Sequence, residues 1–252
     1  MRLVFASNNR HKLEEVRQIM PAGVEVLSLQ EAGFFAEIAE TGTTLAENSM
    51  IKARTVADFI QKKKANGLVA NDQVVNDLKA DELGVFADDT GLEIDALDGQ
   101  PGVYTARWSG CTGNEQEVFA ANRAKALEQL QGKKDRGAQF KTVVTLIRGN
   151  ECIQVEGIVR GEIAEKEYGQ GGFGYDPVFI PEGYDKTFAE LPAEVKNTIS
   201  HRARALAKLV EKLKRRWTMD NGRWTMDNGQ WTMDNGRWTM DNGQWTKKLK
   251  GI

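Results

Sequence analysis

The sequence contains few of the residues that build disulfide bonds or zinc sites. Its 252 residues include only two cysteines, Cys111 and Cys152, and two histidines, His11 and His201. Neither a CxxC motif nor a Cys/His cluster is present, so a disulfide framework and a structural zinc site are both disfavoured. The scarcity of cysteine also fits a reducing compartment, and we expect a cytoplasmic protein.

Long hydrophobic runs and an excess of one charge are missing as well. No apolar run approaches the ~18 residues of a membrane span, and the first residues lack the apolar stretch and cleavage site of a signal peptide. Lysine and arginine number 34 against 36 acidic residues, for a net charge of −2. This balance disfavours nucleic acid and membrane surfaces as partners and leaves small molecules.

Strand and helix patterns alternate along the first part of the chain, and a hairpin pattern follows them. We therefore predict an α/β fold in which a mixed β-sheet is flanked by helices. Thr44 and Glu47 have the spacing of a helix capping box, and a short strand is expected to end in a turn at Thr90-Gly91. The predicted strands are residues 2–7, 24–29, 84–87 and 178–180, the hairpin is 140–148 with 151–163, and the predicted helices are 9–20, 114–130, one from Thr44 and one after Ser200.

Two segments stand apart from this pattern. Residues 61–83 are charged and weakly periodic, which predicts a surface insertion, and from Trp217 the chain repeats WTMDNGR and WTMDNGQ. An Asn-Gly pair in every repeat disfavours a helix, and the residues between these pairs are few for a strand. We predict a domain of residues 1–216 and a flexible tail of 217–252, with an ordered strand array as the less favoured alternative.

The first candidate site motif is the run from Ser7 to Lys12 at the junction of the first strand and helix. A helix N-terminus offers unpaired N–H groups to phosphate, and the ammonium group of Lys12 adds a full charge. The simpler alternative is that Ser7 or Asn8 only caps the helix and that Lys12 is solvated. The contribution of the neighbouring Arg10 and His11 side chains stays open.

The second motif is acidic and combines Glu40 with Asp88, Asp89 and Thr90. Carboxylate oxygens without nearby cysteine or histidine suit a hard cation such as Mg²⁺, which neutralises a bound triphosphate. Because successive strand residues point to opposite faces, a regular strand presents only one of the two aspartates to a ligand. A capped turn with solvated carboxylates is the alternative. A haloacid-dehalogenase-type phosphatase is disfavoured, because its aspartates are spaced as DxD.

Two further motifs lie in the second half of the chain. A glycine-rich loop, GQGGFGYDP, offers Phe173 or Tyr175 for stacking on a base and Asp176 as an acceptor; packing of its aromatic rings in the core is the alternative. In KNTISHR, Ser200 is a plausible N-cap that places His201 and Arg202 in a first helical turn. Basic residues there oppose the helix dipole, so an anionic or carbonyl-bearing ligand is expected to compensate, unless both face solvent.

Together these motifs resemble the inosine triphosphate pyrophosphatases, which remove the non-canonical nucleotides ITP, dITP and XTP from the nucleotide pool. The resemblance runs from residue 2 to about 213, in the order SNNRHKLEEV, ETGTTLAENSMIKA, FADDTGLEIDAL, PGVYTAR, GGFGYDPVFIP and EVKNTISHR. It implies an elongated α/β fold with a substrate cleft between two lobes, Mg²⁺ as cofactor, and a homodimer. Residues 61–83 and the repeats depart from the family pattern.

The resemblance also implies roles for individual residues. Glu40 and Asp89 would hold magnesium, and Asp89 would accept a proton from the attacking water. The triphosphate would be bound by Ser7, Asn8, Asn9, Arg10, His11 and Lys12, while Thr90, Phe173, Gly174, Tyr175, Asp176, Lys196, His201 and Arg202 would contact the rest of the nucleotide.

Base preference follows from the donors expected in the pocket. If His201 and Arg202 donate hydrogen bonds, the 6-oxo group of hypoxanthine or xanthine is favoured over the amino group of adenine. Guanine also carries a 6-oxo group, and its exclusion is not explained. A monophosphate phosphatase and a non-catalytic nucleotide sensor are the rival functions; the intact Glu40 and Asp89 favour an enzyme over the sensor.

Overall fold

A computed structural model describes residues 1–65 and 83–220, together with 224–227, 230–233, 236–241 and 244–248 of the repeats. None of the helices in these ranges is long and apolar enough to cross a membrane. Residues 66–82, most of the predicted insertion, lie outside the described residues; the helix before them ends at Ala65, and the strand after them begins at Leu83.

The core of the molecule is a seven-stranded sheet in the order β2-β1-β3-β5-β6-β7, with β4 paired to β3. Strand β1 is parallel to β2 and β3, and the remaining pairs are antiparallel. The predicted α/β fold with a mixed sheet and flanking helices is therefore confirmed. The strands are β1 (Arg2–Phe5), β2 (Glu25–Leu27), β3 (Leu83–Ile94), β4 (Pro101–Gly102), β5 (Gly137–Arg148), β6 (Glu151–Ile163) and β7 (Phe179–Pro181); the helices are α1 (Arg10–Ile19), α2 (Leu45–Ala65), α3 (Glu115–Gln129), α4 (Ala193–Ile199) and α5 (His201–Asp220), with 3-10 helices at Asp95–Leu97 and Asp176–Val178.

Strand β3 is much longer than predicted. The sequence pattern predicts a strand of residues 84–87 that ends in a turn at Thr90-Gly91, but β3 continues through both residues to Ile94. Strand β5 supplies a partner along this whole length and pairs Val143 with Asp89 and Thr142 with Thr90. The predicted turn is wrong because β5 runs alongside residues 88–91 and forms hydrogen bonds with their backbone. The acidic motif consequently has regular strand alternation.

Three apolar clusters divide the long strands into two halves. Near the start of β3, one cluster packs a sheet face against α2 and another packs the opposite face against α1 and α5. At the far end of β3, a third cluster joins Leu92 and Ile94 to α3 and to the rings of Phe179 and Phe188. Residues 88–91 lie between these cores, which places the acidic motif where the two halves meet.

Side-chain caps fix the starts of the helices that carry the predicted motifs. Thr44 and Glu47 form the predicted capping box, with the Thr44 hydroxyl accepting from the Glu47 N–H and the Glu47 carboxylate accepting from the Thr44 N–H. Asn9, rather than Ser7 or Asn8, caps α1 by accepting from the Lys12 N–H at 2.9 Å.

The repeat region contains strands where the sequence favoured a flexible tail. Helix α5 continues to Asp220, four residues beyond the predicted domain boundary, and β8 (Trp224–Asp227), β9 (Gln230–Met233), β10 (Gly236–Asp241) and β11 (Gln244–Lys248) form an antiparallel sheet. Asp227 pairs with Gln230, so β8 and β9 are antiparallel neighbours from consecutive repeats. Each short strand forms backbone hydrogen bonds with a neighbouring strand, and this pairing between repeats cannot be predicted from the sequence of one repeat alone.

Gly157 allows α5 to approach β6, and replacing it with alanine should damage both stability and the start of α5. A Cβ atom there would lie under 3.0 Å from the His201 carbonyl oxygen and the Ala205 nitrogen, both of them helix backbone. We expect Gly157→Ala to lower the free energy of unfolding by about 3 kcal/mol, measured by urea denaturation. Gly84→Ala is the matched control, because its close contacts would be with the ends of the Leu3 and Leu146 side chains, and the Ile147 carbonyl oxygen lies at an ordinary contact distance of 3.7 Å. Equal losses in the two variants would contradict this explanation.

Candidate active site

A cavity of about 330 Å³ lies beside the middle of β3 and collects residues from all four predicted motifs. It brings together 14 of the 16 candidate residues. These are Ser7, Asn8, Asn9, Lys12, Glu40, Asp89, Thr90, Phe173, Gly174, Tyr175, Asp176, Lys196, His201 and Arg202.

The remaining two candidates, Arg10 and His11, do not line the cavity. The Arg10 side chain is 88% exposed and pairs with Glu14 one turn further along α1. His11 stacks on the ring of Phe173, with 5.6 Å between the ring centroids and 13° between the planes. His11 therefore contacts the cavity-lining Phe173 without lining the cavity itself, whereas Arg10 pairs with a neighbour on its own helix.

Asp88 faces one side of β3, is buried, and pairs with two basic side chains. Its carboxylate accepts from Lys12 Nζ at 3.0 Å and from Arg202 Nε at 3.0 Å. Burial alone would raise the pKa of Asp88, but Lys12 and Arg202 hold that pKa well below its usual range. Asp88 thus anchors two cavity-lining cations without lining the cavity itself.

The cationic network continues beyond Asp88 through Glu15, a residue that the sequence motifs did not single out. The Glu15 carboxylate pairs with Arg202 and, at 2.8 Å, with Lys196 Nζ. Lys196 also contacts Asp176 Oδ2 at 2.6 Å. A buried chain of alternating charges therefore links α1 to α4, α5 and the glycine-rich loop.

Asp89 faces the opposite side of β3, toward α2. Lys52 Nζ donates to Asp89 Oδ1 at 2.7 Å and to Glu40 Oε1 at 2.8 Å, so the two carboxylates converge on one cation. Burial raises the pKa of Asp89, and the neighbouring Lys52 and Lys12 only partly oppose this. The alternation predicted for the two aspartates is therefore present, and Asp89 is the one that lines the cavity.

Lys52 was not predicted, although α2 carries a signal for it. Asn48, Ser49 and Lys52 are all buried, on the side of α2 that packs against the sheet. Polar residues are uncommon on such a face unless they have partners, and Ser49 and Lys52 both bond to groups on β3. Polar residues on the apolar face of α2 are thus the sequence signal that indicates Lys52.

The two aromatic rings of the glycine-rich loop lie in different environments. Tyr175 is buried in the third apolar cluster, and its hydroxyl donates to the Thr105 carbonyl oxygen at 3.1 Å. Phe173 lies beside cations instead, with Lys196 Nζ 4.8 Å from its ring centroid. Asp176 holds the loop by accepting from the Phe173 N–H at 2.8 Å. Phe173 is consequently the ring available for stacking.

His201 begins α5 and is almost completely buried. Burial, together with the nearby charges of Arg202 and Lys196, lowers the pKa of His201 well below its usual range, so the imidazole is neutral at neutral pH. Its Nδ1 atom lies 2.6 Å from the hydroxyl of Thr142, a β5 residue that the sequence motifs did not include. Ser200 caps the helix as predicted, by accepting from the Ala203 N–H.

Comparison with known proteins identifies relatives along nearly the whole folded domain. The profile of the Ham1 family matches residues 3–212. The dITP/XTP pyrophosphatase of Flavobacterium johnsoniae is 44% identical over 214 residues, covering 84% of this chain and 98% of the relative. The dITP/XTP pyrophosphatase of Bacillus subtilis is 43% identical over 215 residues, covering 84% of this chain and 96% of the relative.

Solved structures agree with these matches. The Ham1 protein of Staphylococcus aureus is 34% identical with a TM-score of 0.69, covering 86% of this chain and 100% of that chain. The Ham1 protein of Coxiella burnetii is 32% identical with a TM-score of 0.68, covering 85% of this chain and 99% of that chain. The family profile ends before the tryptophan-rich repeats.

Replacing each of the two adjacent aspartates should affect stability to a different extent. Asp88→Asn leaves Lys12 and Arg202 without their shared carboxylate, and we expect a loss of about 3–5 kcal/mol in the free energy of unfolding at pH 7. Asp89→Asn removes a carboxylate whose pKa burial raises in the folded state, and it leaves the Lys52 ammonium group paired with Glu40, so we expect little change in the free energy of unfolding. Urea denaturation of both variants, in buffer without divalent cations, checks this.

The pH dependence supplies a second measurement on the same variants. A carboxylate with a lowered pKa stabilises the fold fully above its unfolded pKa of about 3.9, and this stabilisation declines progressively as the pH falls below that value toward the lowered pKa of the folded state. The deficit of Asp88→Asn relative to wild type should therefore shrink below about pH 4. A deficit that is constant from pH 7 to pH 3 would contradict the ionic role of Asp88.

Proposed function

The chain belongs to the Ham1 family and is a purine nucleoside triphosphate pyrophosphatase, and we propose that it is Mg²⁺-dependent and acts on the non-canonical nucleotides ITP, dITP and XTP. The observation that carries the proposal is a single cavity with Lys12 at a helix N-terminus, two converging carboxylates and an aromatic ring. These are the groups needed for a polyphosphate, a metal and a base, respectively. The matching relatives are named dITP/XTP pyrophosphatases.

The residues around Asp89 fit a magnesium ion. Glu40 and Asp89 already converge on the positive charge of Lys52, and their ligand atoms are oxygens, as Mg²⁺ requires. No third His, Cys, Asp or Glu joins them within the described ranges, so phosphate oxygens and water would complete the coordination. When bound, the ion would neutralise charge on the triphosphate and polarise the phosphoryl group.

The proposed reaction is hydrolysis at the α-phosphorus. The oxygen of a water molecule forms a bond to that phosphorus, the bond to the oxygen bridging the α- and β-phosphorus breaks, and pyrophosphate leaves. Asp89 takes the proton of the water, a task that suits a carboxylate whose pKa is raised by burial. Lys12 at the start of α1 offsets the charge that grows on the leaving pyrophosphate.

The geometry favours this reaction over the rival functions. In a DxD phosphatase motif, the two aspartates lie two residues apart and share one face of a strand. Here Asp88 and Asp89 occupy opposite faces, and only Asp89 lines the cavity. A sensor that merely binds nucleotides has little need for a carboxylate pair beside a buried lysine. The homodimer, the cytoplasmic location and the absence of nucleic acid and membrane partners stay predictions.

The product distinguishes the proposed function from a monophosphatase. With dITP, XTP or ITP as substrate, we expect pyrophosphate and a nucleoside monophosphate in equal amounts, and much slower release from ATP. Activity should disappear in EDTA and return with excess Mg²⁺, because the proposed ligands are carboxylate oxygens. Orthophosphate as the first product would contradict the proposed reaction, and full turnover in EDTA would contradict the metal requirement.

Asp89→Asn should remove catalysis while the protein remains folded. The amide keeps the size of the side chain but loses the charge for the metal and the basicity for the proton, so we expect kcat to fall about 10²–10⁴-fold. Asp88→Asn is the control: it loosens Lys12 and Arg202, so its main effect should be a higher KM. Both are measured with dITP at saturating Mg²⁺ after a circular dichroism check. A larger fall in kcat for Asp88→Asn would move the catalytic role to that residue.

A further inference from the structure

Two threonine hydroxyls connect the acidic motif to His201 on one face of the sheet. Thr90 and Thr142 are directly opposite each other on β3 and β5, and their hydroxyl oxygens are 2.8 Å apart. At one end, the Thr90 hydroxyl lies 3.5 Å from Asp88 Oδ2. At the other end, the Thr142 hydroxyl lies 2.6 Å from His201 Nδ1. The four groups form a continuous hydrogen-bonded chain.

The hydrogen-bonded chain has a direction, because Asp88 at one end can only accept a hydrogen bond, whereas Nδ1 of His201 at the other end can donate or accept. Each hydroxyl has one hydrogen to donate, and the Asp88 carboxylate, paired with Lys12 and Arg202, can only accept. If Thr90 donates to Asp88, Thr90 accepts from Thr142, and Thr142 then accepts from an Nδ1–H group. This order makes three hydrogen bonds. The reverse order makes two and leaves the Thr90–Asp88 contact without a hydrogen.

The other ring nitrogen of His201, Nε2, is the one left for a ligand, because Nδ1 is engaged by Thr142 and His201 lines the cavity. Nε2 has no hydrogen-bond partner in the described part of the chain, and His201 lines the cavity. Burial keeps the imidazole neutral by lowering its pKa, so a proton on Nδ1 leaves a lone pair on Nε2. Arg202 is the complement: its Nε and Nη1 bond to Asp88 and Glu15, which leaves its Nη2 as a donor.

We propose that the Asp88–Thr90–Thr142 chain fixes His201 in the Nδ1–H tautomer, so that Nε2 accepts a hydrogen bond from the N1–H group of a 6-oxo purine. The proposal rests on the proposed function and specifies how its base site selects substrates. Hypoxanthine and xanthine carry hydrogen on N1, whereas adenine presents a lone pair there and would face the lone pair of Nε2. The role differs from the one predicted from sequence, in which His201 donates to the 6-oxo group.

The tautomer can be read directly by NMR in the ligand-free full chain. The sequence contains only two histidines, so nitrogen-15 labelling of histidine gives two ring systems, and His11→Gln assigns them. A long-range proton–nitrogen correlation at neutral pH shows which ring nitrogen carries the hydrogen. We expect Nδ1–H for His201 in the wild type. An Nε2–H signal would overturn the proposal.

Thr90→Val is the decisive variant because it removes the acceptor of Thr142 without touching His201. The Thr142 hydroxyl can then either donate to Nδ1 or accept from it, with one hydrogen bond in each case, so the single tautomer should give way to a mixture in which part of the imidazole carries its hydrogen on Nε2. Thr90→Ser keeps a hydroxyl and should keep the wild-type tautomer. Thr142→Val and Thr142→Ser test the contact between Thr142 and His201. We expect only the valine variant to lose the single tautomer. A Thr90→Val spectrum identical to wild type would overturn the direction of the chain.

Substrate selection is the second readout of the same variants. Thr90→Val should lower the ratio of kcat/KM for dITP over dATP by about tenfold, the effect of one mismatched hydrogen bond in a buried site, and Thr90→Ser should preserve the ratio. A shifted tautomer with an unchanged ratio would overturn the role in selection. The NMR measurement does not require turnover. Failure of the wild-type protein to hydrolyse dITP would therefore count against the proposed function, and the tautomer of His201 would still test the hydrogen-bonded chain separately.

Discussion

The pairing of the buried Asp88 carboxylate with two cations is the interaction on which the cavity depends. Lys12 comes from the first turns of α1 and Arg202 from the start of α5, 76 and 114 residues away from Asp88 in sequence. An unpaired charge at such depth costs several kcal/mol, so the three elements are held in one arrangement. The cavity wall that carries Lys12 and Arg202 is therefore fixed before any ligand binds.

Strand alternation then allows the neighbouring residue to have the opposite electrostatic character. Asp89 points to the other face, where its partner Lys52 is shared with Glu40. The pKa of Asp88 is lowered and that of Asp89 is raised. Titratable groups with pKa values pushed apart are typical of catalytic sites. One aspartate contributes stability, and its neighbour is left with the basicity that proton transfer requires.

Local patterns predicted the parts of this site that depend on local interactions. The capping box at Thr44, the Ser200 cap and the hairpin turn between β5 and β6 all involve residues close in sequence. The length of β3 was missed because it depends on pairing with β5, more than 40 residues further along the chain. Lys52 and Thr142 were missed for the same reason, since each meets the acidic motif only through tertiary packing.

The start of α5 shows how this packing changes a prediction made from sequence. Two basic residues in a first helical turn oppose the helix dipole, and the sequence alone suggested a ligand as the compensating group. The fold supplies the compensation itself, because His201 is neutral and the charge of Arg202 is balanced by Asp88 and Glu15. A ligand at this end therefore needs to match hydrogen-bond donors and acceptors but not to supply negative charge. This requirement fits the proposed placement of a neutral purine ring next to α5 and of the triphosphate at the start of α1, where Lys12 lines the cavity.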